Sequence, residues 1–479
     1  MPGRFPLEPP TPAPPGRWLV TLILALLALL GLIASPAGGA DATSQAAAAP
    51  TGRLVQPTGQ AGCIHKKAIN RCARGRALTS PEDIAVSPDG RHVYVAAYNS
   101  HAVATFSRNR RTGLLEQLPG RRGCIHHRNR SGGCTVGRAL GGPIALAVSP
   151  DGRNVYVASA GSDALTTFSR NRRTGALRQA PGVKGCISAR PGDDCLVGRA
   201  LNEPTSVVVS PDGERVYVAG RRFPSGIAIL ARASDGSLTQ ADGAGGCVTH
   251  RGGFECASAR GIGSPEEVAV SPDSRYVLVA GMRSDAVAVL ASGPDGLSQA
   301  EGAAGCIARG AAEGCAPGRT LRGPVDLAIT ADGRNVYTAS SIADGIAVLS
   351  RNRATGALTQ PSGRAGCLSQ EGGGGRCGVG RALDEVWSVA VSPDGRNVYN
   401  VSSKVNMLGA IARDRATGTL AQLPGRFGCF IRAGFGGCPD GRGLTVAVAV
   451  AVSPDGRNVY VASEDVYLGA VAIFRRLGG

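Results

Sequence analysis

The chain has 479 residues, of which 70 are glycine and 14 are cysteine, and its formal net charge is +17 at pH 7. Its length alone would correspond to about three domains at roughly 150 residues each. The basic excess favours polyanionic partners. No aromatic stacking platform interleaves with the basic residues, and aromatic residues make up only 4% of the chain, which argues against nucleic acid as the partner.

Residues 1–40 have the order of a secretory signal peptide. Arg4 and Arg17 precede an apolar run at residues 18–33, and small residues follow it. Cleavage after this segment would export the protein. The alternative is an uncleaved membrane anchor, because the run is only slightly shorter than the roughly 17 to 25 residues that span a bilayer. Residues 41–50 form a low-complexity tether. We therefore expect a secreted or cell-surface protein that contacts a membrane only if the segment is retained.

The rest of the chain is built from seven repeats. Fourteen cysteines form seven pairs that recur every 59 to 62 residues, and such a period indicates a repeat architecture. An even number of cysteines at one spacing in an exported chain predicts a disulfide within each pair. Zinc binding is a poor alternative, because the two cysteines of each pair are farther apart in sequence than the ligand pairs of zinc sites, and no histidine recurs with them. The pairs are Cys63–Cys72, Cys124–Cys134, Cys186–Cys195, Cys247–Cys256, Cys306–Cys315, Cys367–Cys377 and Cys429–Cys438.

A second motif, Ser-Pro-Asp-Gly, recurs at the same period, as in Ser149–Gly152, with diverged copies beginning at Ser271 and Thr330. Pro-Asp-Gly between two apolar alternating runs predicts a turn that joins two strands. One complete repeat, residues 202–256, shows four such short strands and then a loop that carries the cysteines. Seven four-stranded antiparallel sheets predict an all-β fold, a seven-bladed β-propeller over residues 51–479.

The two ends of the chain predict how the ring closes. The last repeat stops after its third strand, near Phe474. Residues 51–56, Thr-Gly-Arg-Leu-Val-Gln, are similar to residues 355–360, which supply the turn and outer strand of another repeat. We therefore expect an N-terminal outer strand to join the C-terminal blade and complete a monomeric ring.

Two sets of residues recur at fixed positions within the repeats. Sets of arginines precede the Thr-Gly turns and are expected to be solvated on the face opposite to the cysteine loops. These sets are Arg108-Asn-Arg-Arg111, Arg170-Asn-Arg-Arg173 and Arg351-Asn-Arg353. Tyrosines of the second strand are expected to pack in the core or between blades. They are Tyr94, Tyr156, Tyr217, Tyr337, Tyr399 and Tyr460.

A further arginine follows the second cysteine of every pair by four residues. Seven guanidinium groups around one mouth of the channel could clamp carboxylates, sulfates or phosphates. The alternative is that each one donates hydrogen bonds to carbonyls of its own loop. These arginines are Arg76, Arg138, Arg199, Arg260, Arg319, Arg381 and Arg442.

The first two cysteine loops form a basic sector that contains no acidic residue. The side chains of this sector that would bind a partner are Lys66, Lys67, Arg121 and Arg122. Such a sector attracts polyanions, and this attraction weakens as the salt concentration rises. An acidic envelope polymer, an anionic glycan or a protein at the cell surface would suit it. The alternative is a solvated charged rim that has no partner.

Alternation along the innermost strand predicts which side chains face the channel. Asp83, Glu267 and Asp326 face it, among otherwise small residues. Carboxylates there could hold calcium or another hard cation, or supply a general base. The alternative is that water in the channel donates hydrogen bonds to these carboxylates. We expect no resident metal or cofactor.

His101 and His126 lie in the loops that are predicted to surround the mouth, near the basic sector. A histidine there could act as an acid or a base in a ring-opening reaction, together with Glu267 and Asp326. The alternative is that both histidines are simply exposed. The sequence contains no Ser/His/Asp triad pattern, no Gly-x-Ser-x-Gly nucleophile motif, no phosphate-binding loop and no metal-ligand motif.

Ser-Pro-Asp-Gly-Arg-Asn-Val-Tyr-Val-Ala-Ser, at Ser149–Ser159, and Ser-Asp-Ala-Leu-Thr-Thr-Phe, at residues 162–168, resemble the Tyr-Val-Thr-Asn (YVTN) type of β-propeller repeat. The chain is also similar to the seven-bladed lactonase family, which contains phosphogluconolactonases and muconate-lactonising enzymes. This resemblance implies a propeller and, at its channel mouth, a lactone-hydrolysing site with a histidine, arginines and a glutamate. Three hypotheses follow. The first is a disulfide-stiffened propeller that binds an anionic partner through its cysteine-loop face, and the alternative is a hydrolase of sugar or aliphatic lactones. The third is a surface scaffold whose partner is another protein.

Overall fold

The computed structural model describes residues 50–478, apart from 68, 70, 129–132, 435 and 465–468. The predicted signal peptide or anchor and residues 41–49 of the tether lie outside the described residues. The helices within the described part are 3-10 turns of three or four residues, and none of them is long and apolar enough to cross a membrane. All regular structure beyond these turns is β-strand.

Each of the seven blades begins with two antiparallel strands of six residues, joined by the Ser-Pro-Asp-Gly turn or its variant. In the first turn Ser87 Oγ donates a hydrogen bond to Asp89 Oδ1 at 2.6 Å, and Gly90 has a φ of +67°, which strains other residues. The innermost strands are Pro81–Val86, Pro143–Val148, Pro204–Val209, Pro265–Val270, Pro324–Ile329, Val386–Val391 and Ala447–Val452. The second strands are His92–Ala97, Asn154–Ser159, Arg215–Gly220, Tyr276–Gly281, Asn335–Ser340, Asn397–Ser402 and Asn458–Ser463.

A longer third strand pairs with a short outer strand near its end. The third strands are Ala102–Arg108, Ala164–Arg170, Gly226–Arg232, Ala286–Gly293, Gly345–Arg351, Met407–Arg413 and Ala470–Leu477. Six outer strands follow in the same repeat: Leu115–Gln117, Leu177–Gln179, Leu238–Gln240, Gly296–Gln299, Leu358–Thr359 and Leu420–Gln422. The seventh is N-terminal, because Arg53–Val55 pairs with Ala470–Leu477, with Arg53 opposite Leu477. The predicted closure is confirmed.

The cysteine segments are more ordered than the predicted loops. A glycine-rich 3-10 turn interrupts each outer strand, and the first cysteine then resumes pairing with the start of the third strand, as Cys124 does opposite Ala104. These strands are Cys63–His65, Cys124–His127, Cys186–Ser188, Cys247–Thr249, Cys306–Arg309, Cys367–Ser369 and Cys429–Ile431. The turns before them are Gly59–Gly62, Gly120–Gly123, Gly182–Gly185, Gly243–Gly246, Gly302–Ala304, Gly363–Gly366 and Gly425–Phe427, and three more are Ala160–Ser162, Ala312–Gly314 and Gly372–Gly375.

After the second cysteine the chain returns alongside the first and pairs with it in parallel. These last strands are Ala73–Arg74, Thr135–Gly137, Leu196–Val197, Ala257–Ser258, Ala316–Gly318 and Gly378–Val379. Six sheets therefore have six strands and one has five, where four antiparallel strands per blade were expected. All fourteen cysteines form the seven predicted disulfides. Such density is typical of proteins outside the cytoplasm.

A buried latch joins neighbouring blades on the face of the Ser-Pro-Asp-Gly turns. Tyr94 is fully buried, and its Oη donates to the carbonyl of Gly175 in the next blade at 2.8 Å. Arg170, at the end of the next third strand, donates from Nε to Tyr94 Oη at 2.8 Å and from Nη2 to both carboxylate oxygens of Asp89 at 2.9 Å. The predicted burial of the tyrosines is confirmed.

The expectation that the arginines before the Thr-Gly turns are solvated was wrong for the first arginine of each set. The side chains of Arg108, Arg170 and Arg351 are 0%, 0% and 1% exposed. Each ends a third strand and lies over the turn of the preceding blade, so blade-on-blade packing covers it. Arginine side chains are rarely buried unless they form ion pairs. The partners of these three arginines are Asp455, Asp89 and Asp273, respectively.

Candidate functional site

A cavity of about 540 Å³ lies where the innermost strands converge. Each of these strands contains a register shift near its start, between Pro81 and Asp83 in the first blade and at the same position in the others. Such a bulge inserts one residue and redirects side chains. Seven carboxylates line the cavity: Glu82, Asp83, Glu266, Glu267, Asp326, Glu385 and Glu464.

The bulge explains why two of the acidic residues that line the cavity were missed in the sequence. Asp83, Glu267 and Asp326 line the cavity, as alternation predicted. The positions counted back from the turn did not include Glu82 and Glu266, but the extra residue of the bulge lets both line the cavity as well. The consecutive acids at the start of two innermost strands were the available signal.

The carboxylates of Asp83 and Asp326 also bind the backbone of two blades. Asp83 accepts hydrogen bonds from the N–H groups of Ile84, at 2.7 Å, and of Leu146 in the next blade, at 2.8 Å. Asp326 makes the corresponding pair, at 2.6 and 2.7 Å. Glu267 instead accepts from the hydroxyl of Ser206, at 2.9 Å. The two aspartates therefore have a structural role in the wall of the cavity.

Burial raises the pKa of every one of these carboxyl groups for which a shift is resolved. The pKa rises to about 6 for both Asp83 and Asp326, and burial is the main cause in each. Glu266 reaches about 7 and Glu82 about 8, again chiefly through burial. The pKa of Glu267 is raised well above its usual value by burial and then by the charge of Asp326. Groups in this range exchange protons near neutral pH and can act as general acids or bases.

A guanidinium lies at the edge of this cluster. Arg221 forms an ion pair with Glu203, and its Nη1 lies 3.6 Å from an oxygen of Glu266. Its charge lowers the pKa of Glu266, against the larger effect of burial. Within the described residues, no group of three histidine, cysteine or acidic side chains is arranged to hold a metal ion. The wall is thus strongly acidic, although the whole chain is basic.

The two predicted histidines lie away from the acidic cavity. His101 lines a separate cavity of about 370 Å³, together with His127, and its Nδ1 accepts a hydrogen bond from the N–H of Gly142 at 2.9 Å. Asp163 accepts the corresponding N–H in the next repeat, from Glu203 at 2.7 Å, so His101 occupies a structural position. His126 lines neither cavity. The four catalytic candidates are therefore not brought together.

The arginines that follow the cysteine pairs bridge successive blades. Arg76 Nη2 donates to the carbonyl of Gly120 in the following blade at 2.9 Å, and its backbone N–H donates to Gln117 Oε1 at 2.8 Å. The hydrogen-bond acceptors of Arg76 belong to the next repeat. The alternative in which each arginine bonds to carbonyls of its own loop expected them in the same repeat. Ligand binding by these side chains stays a prediction. Equivalent bonds to the following blade are made by Arg138, Arg199, Arg260, Arg319, Arg381 and Arg442.

The four side chains of the basic sector that would bind a partner are accessible. Lys67, Arg121 and Arg122 are exposed and Lys66 is partly exposed. None of the four forms an ion pair with a described residue. In the same two loops Arg128 is paired, with Asp193 of the next repeat at 2.7 Å. In the described part of the chain, these four cations on the rim are therefore not neutralised by an acidic side chain.

No protein-family model matches the chain, and no curated protein is similar to it. Solved structures share its fold at low identity. A putative 6-phosphogluconolactonase from Bacteroides uniformis aligns with a TM-score of 0.50 at 18% identity, over 72% of this chain and 85% of that one. A second, from Bacteroides fragilis, gives 0.50 and 18%, over 71% and 82%. Kuenenia stuttgartiensis hydrazine synthase gives 0.51 and 15%, over 84% and 97%. The chain is a seven-bladed β-propeller with the fold that its resemblance to lactonases implied.

Proposed function

We propose that this protein is an exported binding propeller that holds an anionic polymer, glycan or protein at the cell surface through its basic sector. The observation that carries the proposal is a set of accessible cations that have no carboxylate partner among the described residues, namely Lys66, Lys67, Arg121 and Arg122. By contrast, the latch arginine Arg170 is buried and paired with a carboxylate. Charges that the fold does not use are available to a partner.

The compartment limits the choice of polyanion. Seven disulfides are expected to persist only where thiols are oxidised, which is outside the cytoplasm. Acidic polysaccharides and other envelope polymers are the abundant polyanions there, whereas nucleic acid is not. The net charge of +17 adds long-range attraction. Binding of this kind weakens as salt screens the charges.

The test compares two variants that each lose four positive charges. One carries Gln in place of Lys66, Lys67, Arg121 and Arg122. The control carries Gln at four exposed arginines near the Thr-Gly turns on the opposite face. These control positions are Arg110, Arg111, Arg172 and Arg173.

Binding to immobilised polygalacturonate and heparin would be measured at low and at physiological salt. We expect at least about a tenfold loss of affinity in the first variant and a much smaller loss in the control, because only the first removes charges at the binding surface. Equal losses in both would show that net charge alone is responsible, and would refute a defined binding surface.

A second candidate function, hydrolysis of a neutral lactone in the central cavity, is favoured by the raised pKa values of its carboxyl groups. With a pKa of about 7, Glu266 can take a proton from water at neutral pH. The resulting hydroxide attacks the lactone carbonyl carbon, the ring C–O bond breaks, and the carboxyl group returns the proton to the leaving oxygen. Those carboxyl groups that ionise would repel a phosphorylated lactone, and the lining of the cavity that the structure describes includes no lysine or arginine to bind its phosphate. A neutral sugar or aliphatic lactone is therefore the substrate class.

Proton release from glucono-δ-lactone and γ-butyrolactone at constant pH tests this candidate. We expect Glu266→Gln and Glu267→Gln to lower the enzymatic rate by about 100-fold or more, in line with loss of a general base. Glu116→Gln, on the exposed outer strand of the first blade, is the matched control. A rate above the spontaneous reaction that survives both cavity substitutions would reject the assignment.

A further inference from the structure

A second cavity, of about 590 Å³, lies at the seam where the N-terminal strand meets the blade before it. We call it the seam pocket. Arg53 and Leu54 of the N-terminal strand line one part of it, and Arg426, Phe427 and Phe430 of the preceding blade line another. Its volume lies within the roughly 300 to 1,000 Å³ that is usual for small-molecule sites.

The lining of the seam pocket combines apolar surface with cations. Leu54 and Phe430 are 4% and 7% exposed, so they form buried apolar wall. The guanidinium carbon of Arg53 lies 5.6 Å from the ring centre of Phe427, and that of Arg426 lies 5.5 Å from it. The aromatic ring therefore holds two guanidinium groups beside the same pocket by cation–π contact.

The charge of the seam pocket is unbalanced. Arg53, Arg71 and Arg426 form no ion pair and donate no side-chain hydrogen bond to a described residue. Arg442 also lines the pocket, but it is committed to backbone carbonyls of the next blade. The carboxylate in the lining is Asp440, which accepts a hydrogen bond from the backbone at 2.8 Å. Three guanidinium groups therefore line the pocket without an acidic partner among the residues that the structure describes.

The seam pocket also departs from the sevenfold pattern. Ten residues before the first cysteine, Arg53 stands where other repeats have residues such as Leu114 and Ala176. Two residues before the cysteine, Phe427 stands where another repeat has Ala365. Side chains that the fold itself needs recur in most blades, as the latch tyrosines do. Arg53 and Phe427 do not recur in this way, although Phe427 also packs against the core cluster that contains Leu54 and Phe430.

We propose that the seam pocket binds a small organic oxyanion, a compound with a carboxylate, sulfate or phosphate group on an apolar or sugar body. The charged group contacts Arg53, Arg71 and Arg426, whose planar donors suit such oxygens. The body packs against Phe427 and Leu54. This site shares no residue with the four cations of the polymer-binding proposal and stands independently of it.

Ligand binding would also reinforce ring closure. The seam pocket is lined by both the N-terminal strand and the preceding blade, and Arg53–Val55 supplies the outer strand of the last sheet. A ligand that contacts both sides binds only the closed ring, so it raises the stability of the folded protein by mass action. Benzoate or phenyl phosphate should therefore raise the thermal midpoint in a concentration-dependent way.

The full chain, with its disulfides intact, would be titrated calorimetrically with benzoate and phenyl phosphate, and with benzamide as the neutral analogue. We expect saturable binding of at least one anion, at least about tenfold tighter than benzamide. Arg53→Leu combined with Arg426→Gln should weaken it by about tenfold or more. Arg364→Gln, at the position of Arg426 in another repeat, should not change it.

Leucine occurs at the position of Arg53 in the next repeat, so the double variant is expected to fold. If it does not, Arg71→Gln in the exposed cysteine loop replaces it. Absence of saturable binding by either anion would overturn the proposal, as would equal binding of benzamide or an equal loss in Arg364→Gln. Polygalacturonate binding that persists in the double variant would separate this site from the basic sector.

Discussion

Glu82 connects the acidic cavity to the stability of the fold. Burial, followed by the charges of Glu464 and Asp83, raises its pKa from 4.5 to about 8. The folded protein therefore keeps this proton at pH values where the unfolded chain has released it. The stability that the proton contributes is complete below the unfolded pKa and is lost as the pH rises through the folded one. A shift of this size corresponds to about 5 kcal/mol at roughly 1.36 kcal/mol per pKa unit.

Replacement of Glu82 by Gln removes the ionisation but keeps the shape of the side chain. At pH 5 we expect Glu82→Gln and the wild type to be similarly stable, because both side chains are neutral in the folded state. At pH 9 the variant should be more stable, by up to about 5 kcal/mol. Urea unfolding at both pH values, with disulfides intact and followed by far-ultraviolet circular dichroism, measures the difference.

The matched control is Glu116→Gln, because Glu116 is exposed on an outer strand. Its effect on the free energy of unfolding should be within about 0.5 kcal/mol of zero at either pH. If the difference between Glu82→Gln and the wild type is the same at pH 5 and pH 9, Glu82 does not carry a raised pKa. The account of the cavity as a set of buried, partly protonated carboxyl groups would then be incorrect.

Three further changes test the fold. Arg170→Ala should destabilise the protein by about 2 to 3 kcal/mol in urea unfolding, because it removes a buried guanidinium that is hydrogen-bonded to buried Tyr94 and to partly buried Asp89. Arg172→Ala in the same turn should cost less than about 0.5 kcal/mol, and similar costs for the two variants would contradict the latch. Replacing Cys186 and Cys195 with Ser should cost about 2 to 3 kcal/mol by the loop-entropy model, and a larger cost would show that the disulfide supports more than its own segment. Deletion of residues 51–56 should raise amide hydrogen exchange along the last strand, and unchanged exchange would show that the ring closes without them.

The seven blades, their closure and their disulfides could be predicted from the sequence because each depends on a local or periodic signal. Ser-Pro-Asp-Gly encodes a turn through the conformational preferences of its own residues. Cysteine spacing indicates pairing when the two residues lie close in sequence, as Cys186 and Cys195 do. The closure of the ring could be predicted because residues 51–56 are similar to residues 355–360, the turn and outer strand of another repeat.

The parallel strands after the cysteines could not be predicted, because two to four residues carry too little pattern to reveal a partner. The bulge in the innermost strands was missed for a related reason. Its signal is one extra residue, and the alternation that follows it looks regular. As a result Glu82 and Glu266 were not identified, and the acidic character of the cavity was underestimated.

The sequence by itself determined the number of blades, the order of the four antiparallel strands in each and the disulfide pairs, since these follow from interactions between residues that are neighbours in the chain. Only the tertiary structure decided how the blades meet. The latch between Arg170 and Asp89, the bridge from Arg76 to the next blade, and the seam pocket around Phe427 all join residues of different repeats. Ring geometry sets those distances, and no pattern within a single repeat encodes them.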